Sequence, residues 1–185
     1  IIADPALDDS MRGELMILPA EAYLAEQLAA ADPAAIREQR EALKAWLGQA
    51  LLSPLTALHD RVFAVPYSRD AAARGARKVK TQALVYLAAG APAEAAERAA
   101  AQYRVADNMT DRQGALMVLC GLDGPERAEL LADFHARYAG NALVIDKWFS
   151  LQAGSTDRAG DILPRVRQLM KHPDFSLKNP NRARS

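Results

Sequence analysis

Three features of this sequence predict an all-α chain, with antiparallel helix pairs stacked as an armadillo/HEAT-like superhelix. Alanine makes up roughly a fifth of the 185 residues, well above its share in an average globular protein. It is the strongest helix former, and its small side chain lets helix axes approach closely. Proline recurs just ahead of alanine-, leucine- or glutamate-rich runs. Aromatic residues amount to only 6%, and β-branched residues are also sparse, which argues against a large sheet.

The elements follow from their start and stop signals. Asp4-Pro5, Leu18-Pro19 and Asp32-Pro33 open helices over 5–17, 19–31 and 33–52. Proline costs nothing in a first turn, where its missing N–H had no partner, and a preceding Asp or Ser can cap the free amides. In the third helix Ile36, Leu43, Leu47 and Leu51 recur at helical spacing. Ser53-Pro54 opens 54–64, which ends in Val62-Phe-Ala-Val-Pro66, too short and too proline-bound to be a strand. A helix over 69–89 ends at Gly90, and Ala91-Pro92 opens 92–105. Asn108 or Thr110 caps 109–120, with Asp111 in the first turn, where the helix dipole favours an acid. Gly124-Pro125 opens 125–139, which carries the stripe Leu130, Phe134 and Tyr138. A helix over 141–153 follows, then one over 157–171 with Ile162, Val166, Leu169 and Met170 on its apolar face. Gly90, Gly121, Gly140 and Gly154 stand just past periodic segments, where a left-handed C-cap is expected. Connections are short, so consecutive helices should be antiparallel neighbours. Units of about 35–45 residues fit helical solenoids, although no strict repeat is present.

Composition excludes several functions. Lys plus Arg equals Asp plus Glu, giving zero net charge, whereas a general polyanion binder carries a basic excess. No nucleic-acid partner is therefore expected. No apolar run approaches the roughly 20 residues that span a bilayer, and no secretory signal is visible, so no membrane partner is expected either. The single cysteine, Cys120, cannot form an internal disulfide, which fits a reducing cytoplasm. The chain begins Ile1-Ile-Ala without methionine, and the expectation is a piece of a longer polypeptide.

Residues able to do chemistry are few. None of His59, His135 and His172 belongs to a His-Glu-x-x-His pattern, which would set two zinc ligands on one helix face with a glutamate base between them. His135, in Phe134-His-Ala-Arg-Tyr138, reads as a boundary residue of an amphipathic helix. His172 reads as a helix-end residue favoured by the C-terminal dipole. Cys120 closes its helix as a small hydrophobe, and a helix C-terminus does not activate a thiol. No phosphate loop, dinucleotide fingerprint or Gly-x-Ser-x-Gly occurs. Arg74, Arg77, Lys78 and Lys80 read as a solvated helix face. No catalytic or metal-binding residue is therefore expected.

The stretch Asn141-Ala-Leu-Val-Ile-Asp-Lys-Trp-Phe-Ser-Leu-Gln152 is the most telling. Val144, Ile145, Trp148, Phe149 and Leu151 cover one broad arc, and Asp146, Lys147 and Ser150 share the opposite strip with Leu143. A helix this apolar should be buried, with its charged strip at a solvent slot or paired to neighbours. Asp146 and Lys147 are adjacent and cannot face each other, so each needs its own partner. Arg165, Arg167 and Arg182 are the candidates for Asp146. The strip is either a clamp between helices or the lining of a chamber. In the tail Lys178-Asn-Pro-Asn-Arg-Ala-Arg-Ser185, Pro180 keeps Asn179 out of a helix, and Asn181 is expected to cap one starting at Arg182. That helix would be left unfinished, again as in an excised piece.

With Asn108-Met-Thr-Asp111, Gly140-Asn-Ala-Leu-Val-Ile-Asp-Lys-Trp-Phe149 and Asn179-Pro-Asn-Arg-Ala-Arg-Ser185, the chain resembles the C-terminal helical domain of the bacterial aminopeptidase N family. Leu18-Pro19, Asp32-Pro33-Ala-Ala-Ile36 and Arg40-Glu-Ala-Leu43 add weaker support in the same order, so the resemblance covers essentially the whole chain. It implies a cytoplasmic zinc exopeptidase of the gluzincin type that removes N-terminal amino acids from peptides. The catalytic domain of such an enzyme carries His-Glu-x-x-His, a downstream glutamate and Gly-x-Met-Glu-Asn. This sequence has neither motif, so no zinc ligand or catalytic residue carries over. The resemblance further implies a non-catalytic domain that closes over the active site and restricts which peptides enter. Its partners would be the catalytic domain of the same polypeptide and the peptide substrates, and zinc would belong to the parent alone. Asp146, Lys147, Trp148, Asn179, Asn181 and Arg182 are the expected chamber or interdomain contacts. On this reading residues 1–185 are part of a single helical-repeat domain that extends further at both ends in the family. The competing expectation is a free-standing helical-repeat adaptor for a protein or peptide partner.

Overall fold

A computed structural model describes residues 1–155 and 160–185, and the helices among them alternate between two rows. They are α1 (Asp9–Leu15), α2 (Glu21–Glu26), α3 (Pro33–Ala50), α4 (Leu52–Phe63), α5 (Ala71–Gly90), α6 (Pro92–Val105), α7 (Met109–Cys120), α8 (Pro125–Tyr138), α9 (Ala142–Ala153), α10 (Ile162–Leu169) and α11 (Pro180–Arg184). No strand occurs among the described residues. α3, α5, α7 and α9 pack side by side in succession, and α4, α6 and α8 lie against them as the second row. Antiparallel pairs are thus stacked as in an armadillo-type superhelix. The second row is cross-linked by polar contacts: Thr56 to Glu94 at 3.1 Å, Arg98 to Asp60 at 2.5 Å and Tyr103 to Asp133 at 2.6 Å.

Local chemistry explains most boundaries. Asp32 accepts from the amides of Ala34 (2.9 Å) and Ala35 (3.1 Å), with Pro33 opening α3. Asp70 accepts from Ala73 at 2.8 Å, and Asn108, not Thr110, accepts from Asp111 at 2.9 Å. Pro92 and Pro125 also open their helices. The first two helices are much shorter than the proline signals predict. Residues before α1 wrap around the buried Arg12, whose guanidinium donates to the carbonyls of Ile1 (2.9 Å), Ile2 (3.2 Å), Asp4 (3.1 Å) and Leu7 (2.7 Å). Wrapped around that guanidinium, these residues make turns in place of a helix, the Asp4 amide donating to the Ile1 carbonyl at 3.3 Å and the Leu7 amide to the Asp4 carbonyl at 3.4 Å. α2 buries no residue, and helical propensity alone does not sustain so short a segment in water. At the other end, the expected start at 157 lies outside the described residues, and Met170 and Lys171 have left α10.

The core runs along α4 to α9, with Leu55, Val79, Leu84, Leu87, Leu116, Leu119 and Phe134 almost wholly buried. Ala83, Ala95, Ala99 and Ala115 are fully buried, so alanine sets the close helix spacing. The stripe Leu130, Phe134 and Tyr138 faces this core, whereas on α3 Leu43 is exposed and Ile36 and Leu47 are half-buried, as is Leu51 just beyond its end. The expected left-handed caps are absent: among the described residues only Gly160 (φ 71°) lies in the left-handed region. Gly121 and Gly154 sit at φ −86° and −89°, continuing the turn of the preceding helix. Gly90 serves another purpose. A Cβ there would lie 2.3 Å from the carbonyl carbon of Gly48, and one on Gly48 would lie 2.2 Å from the carbonyl oxygen of Tyr86. The two glycines let α3 and α5 touch backbone to backbone.

α5 touches α1, α3, α4, α6 and α7, and this corrects the reading of its basic residues as a solvated face. Lys80 and Arg77 are buried. Arg77 donates to the carbonyl of Ser68 at 2.9 Å and lies 5.0 Å above the Tyr67 ring, while Lys78 pairs with Glu14. Only Arg74 is exposed. A central helix has little solvent-facing arc, so its cations are drawn inward to partners.

Candidate functional site

The row α3–α5–α7–α9 carries an open groove of about 420 Å³. Glu41 and Lys44 contribute from α3, Val85 and Ala88 from α5, Gln113 and Met117 from α7, and Ser150 and Leu151 from α9. Glu41 and Lys44 pair with each other, so the walls combine a neutralised ion pair with apolar surface. Lys147 is exposed beside this groove and donates to Gln113 at 3.3 Å. Of the predicted contact residues, it is the one bonded to a groove residue, and among the described residues it makes no ion pair.

The others do different work. Asp146 is held by Arg182, one of the three arginines proposed for it, and both side chains are largely buried. Arg182 also donates to the carbonyls of Asp174 and, at 3.3 Å, Ala142, and its guanidinium lies 5.0 Å above the Phe149 ring. Arg165 instead pairs with Asp161 at 2.7 Å. The Asp146–Arg182 pair thus clamps α9 to α11, while Lys147 and Ser150 of the same strip lie at the groove. Trp148 is buried on the far side of α9, donating to the carbonyl of Leu131 at 2.9 Å. Asn179, not Asn181, caps the last helix, accepting from the amides of Asn181 (3.0 Å) and Arg182 (3.3 Å). Pro180 explains the difference: it keeps Asn179 extended (φ −98°, ψ 109°), the conformation a cap requires, and opens α11 itself.

A buried polar chain between the rows was not anticipated from the sequence. Lys80 donates to Asp111 at 2.8 Å, Gln102 donates to the Asp111 carbonyl at 2.8 Å, and Asn108 reaches the same carboxylate at 3.2 Å. His59 Nε2 donates to Gln102 Oε1 at 3.3 Å. Burial holds the His59 pKa below its ordinary value, keeping the ring neutral. Among the described residues, His59 Nδ1 and Asp111 Oδ1 have no hydrogen-bond partner. Spacing carried a signal for these residues: His59 lies between Leu55 and Val62, and Lys80 precedes Leu84, at core-facing helical intervals. Cys120 is buried, and desolvation pushes its thiol pKa up to about 11. His135 is half-buried, as expected of a boundary residue, and its ring stacks edge-on against that of His172. His172 lies in the turn beyond α10 rather than in its last turn, and its Nδ1 accepts from the amide of Asp174 at 3.2 Å.

Stacked antiparallel helix pairs with a groove along one row define an armadillo-repeat domain. The chain belongs to the family described as "Domain of unknown function (DUF3458_C) ARM repeats", whose model matches residues 1–185. It is 36% identical over 185 residues to aminopeptidase N of Caulobacter vibrioides and 34% identical over 185 residues to aminopeptidase N of Escherichia coli. In both cases all of this chain is matched, but only 21% of the relative. The chain therefore spans about a fifth of the length of these relatives. Among solved structures, Legionella pneumophila aminopeptidase A in complex with aspartic acid aligns with a TM-score of 0.83 at 27% identity, over 98% of this chain and 22% of that one. The resemblance read from the motifs at 108–111, 140–149 and 179–185 is thereby borne out.

Proposed function

We propose that this chain is a non-catalytic domain of a cytoplasmic zinc aminopeptidase that removes N-terminal amino acids from peptides. Its task is to wall the active-site chamber and restrict which peptides enter. The observation that carries the reading is the groove across α3, α5, α7 and α9, lined by apolar side chains and a self-neutralised ion pair. Such a surface accepts peptide backbone and varied side chains without demanding a particular charge. A stacked-helix scaffold is stiff and concave, which suits enclosure of an extended chain, and excluding bulk water from a metal centre needs walls rather than nucleophiles. Zinc would be held by another segment of the parent, since His-Glu-x-x-His is missing from this sequence. Lys147 is the residue best set to meet a peptide or a neighbouring domain. The relatives favour this reading over a free-standing adaptor.

The test uses the parent enzyme containing this chain. Met117→Trp fills the groove between α5 and α7 at a position that is already exposed. Cleavage of long peptides should fall relative to that of single aminoacyl substrates, measured as the ratio of kcat/KM values. An unchanged ratio across peptide lengths would defeat the gatekeeping proposal.

A further inference from the structure

Away from the groove, the fold gathers three metal-ligating side chains that the sequence separates. His135 lies on α8, while His172 and Asp174 lie in the turn between α10 and α11. His135 Nε2 is 2.7 Å from Asp174 Oδ2, and His172 Nδ1 is 3.8 Å from the same oxygen. One ligand atom from each of the three lies within 4.8 Å of the others. We propose that His135, His172 and Asp174 form a binding site for one divalent transition-metal ion of the zinc type.

Ligand chemistry and geometry both support the assignment. Two imidazoles and one carboxylate suit zinc and its neighbours, not calcium or magnesium, which prefer all-oxygen shells. Zinc bonds of about 2.0–2.1 Å in a tetrahedron set ligand atoms roughly 3.3–3.5 Å apart. The observed 2.7 and 3.8 Å straddle that spacing, and the full set lies within 4.8 Å, so small side-chain adjustments would bring the ligands into place.

The rings are already oriented. Trp148, anchored through Leu131, packs against His135 at 4.9 Å and against His172 at 5.1 Å, and Phe149 lies 5.7 Å from His172. All three ligands keep some solvent exposure, which gives an ion a way in. Charge is also suitable. The nearby Arg182 is committed to Asp146 and touches Asp174 only at its backbone carbonyl, and Arg137 is paired with Asp133. Among the described residues, the Asp174 carboxylate thus has the two imidazoles as its side-chain partners. On binding, the ion takes the Nε2 lone pair of His135 in its neutral Nδ1–H tautomer, the proton shared between Nε2 and the carboxylate moving to Nδ1 or, from an imidazolium, being released to solvent. On His172, it takes the Nδ1 lone pair now engaged by the Asp174 amide. Three protein ligands leave a fourth position for water. The ion would tie α8 to the segment leading into α11. The site does not depend on the peptidase reading, because every ligand lies in this chain.

The experiment titrates the chelator-treated chain with Co²⁺ as a coloured stand-in and then with Zn²⁺ as competitor. Imidazole resonances of the three histidines are followed alongside. One Co²⁺ per chain should produce ligand-field bands that Zn²⁺ abolishes, with His135 and His172 resonances perturbed and the buried His59 unchanged. Asp174→Asn and, separately, His172→Gln should each weaken binding by roughly 10- to 100-fold, by analogy with losses at metal-site supporting residues. Far-UV circular dichroism verifies that each variant keeps its helices. Absence of ligand-field bands at excess Co²⁺, perturbation of His59 equal to that of the others, or wild-type affinity in either folded variant would overturn the assignment.

Discussion

Replacing Lys80 with methionine tests whether the polar chain between the rows is an obligate unit. Lys80 and Asp111 side chains are 2% and 6% exposed, with Nζ and Oδ2 2.8 Å apart. Methionine keeps the aliphatic volume but removes the cation, leaving the carboxylate with Asn108 alone on Oδ2 and with nothing on Oδ1. Breaking one side of a buried pair typically costs about 3–5 kcal/mol. Here Lys80, Gln102 and Asp111 line a cavity of about 380 Å³, large enough for water to relieve part of the penalty, so the lower end, about 3 kcal/mol, is expected. With a urea m-value of ~2 kcal/mol/M, the midpoint should fall by ~1.5 M in a melt followed by far-UV circular dichroism. Lys80→Met combined with Asp111→Leu should lose less than the sum of the single changes, because the stranded charge is gone. Arg74→Ala, on the exposed side of the same helix, should stay within about 0.5 kcal/mol. A Lys80→Met loss below about 1 kcal/mol, or strict additivity in the double variant, would refute the reasoning.

Other expectations are narrower. His59 is neutral in the fold, with its pKa below the ordinary value of 6.5. Below that pH the unfolded chain binds a proton the folded chain refuses, so stability falls on acidification, by at most about 1.4 kcal/mol per pH unit from this group. His59→Gln should flatten the slope in urea melts between pH 7 and 5, roughly the window in which an unperturbed histidine titrates. Cys120, with its thiol pushed up to about 11 and buried, should resist a disulfide reagent at neutral pH and react fully once denatured. Gly48→Ala must separate α3 from α5, because its Cβ would sit 2.2 Å from the Tyr86 carbonyl oxygen. A loss of about 1–3 kcal/mol is expected, read as a lowered urea midpoint. The isolated chain should show no aminopeptidase turnover on aminoacyl chromogenic substrates, and activity in contaminant-free material would count against a non-catalytic role.

Helix class and stacking were legible because alanine content, prolines at helix starts and apolar spacing are local properties. Pro33, Pro92 and Pro125 behave as their positions imply. The same signal overshot at Pro5 and Pro19, since a proline marks where a helix can begin, not whether it has anything to bury. The buried cations escaped for a related reason. Arg12, Lys80 and Arg182 look like surface residues in a one-dimensional pattern, and only the fold supplies the carbonyls and carboxylates that draw them in. Asp146 was readable as needing an arginine, and Arg182 was among those named, but choosing it required knowing that α11 returns to α9. The meeting of His135 with His172 and Asp174 depends on the turn after α10, which no spacing rule encodes.

The run from His59 through Gln102 and Asp111 to Lys80 has a consequence for how the molecule comes apart. In a stack whose units touch only their neighbours, melting can proceed one hairpin at a time from either end. These four side chains belong to α4, α5, α6 and α7, and none keeps its partners unless both hairpins are in place. Fraying α4 would strand the Gln102 amide oxygen, and fraying α7 would strand the Lys80 ammonium. The middle of the array is thereby bound into one all-or-none block, and native-state hydrogen exchange should find its amides opening together while α1 and α2 open far more readily.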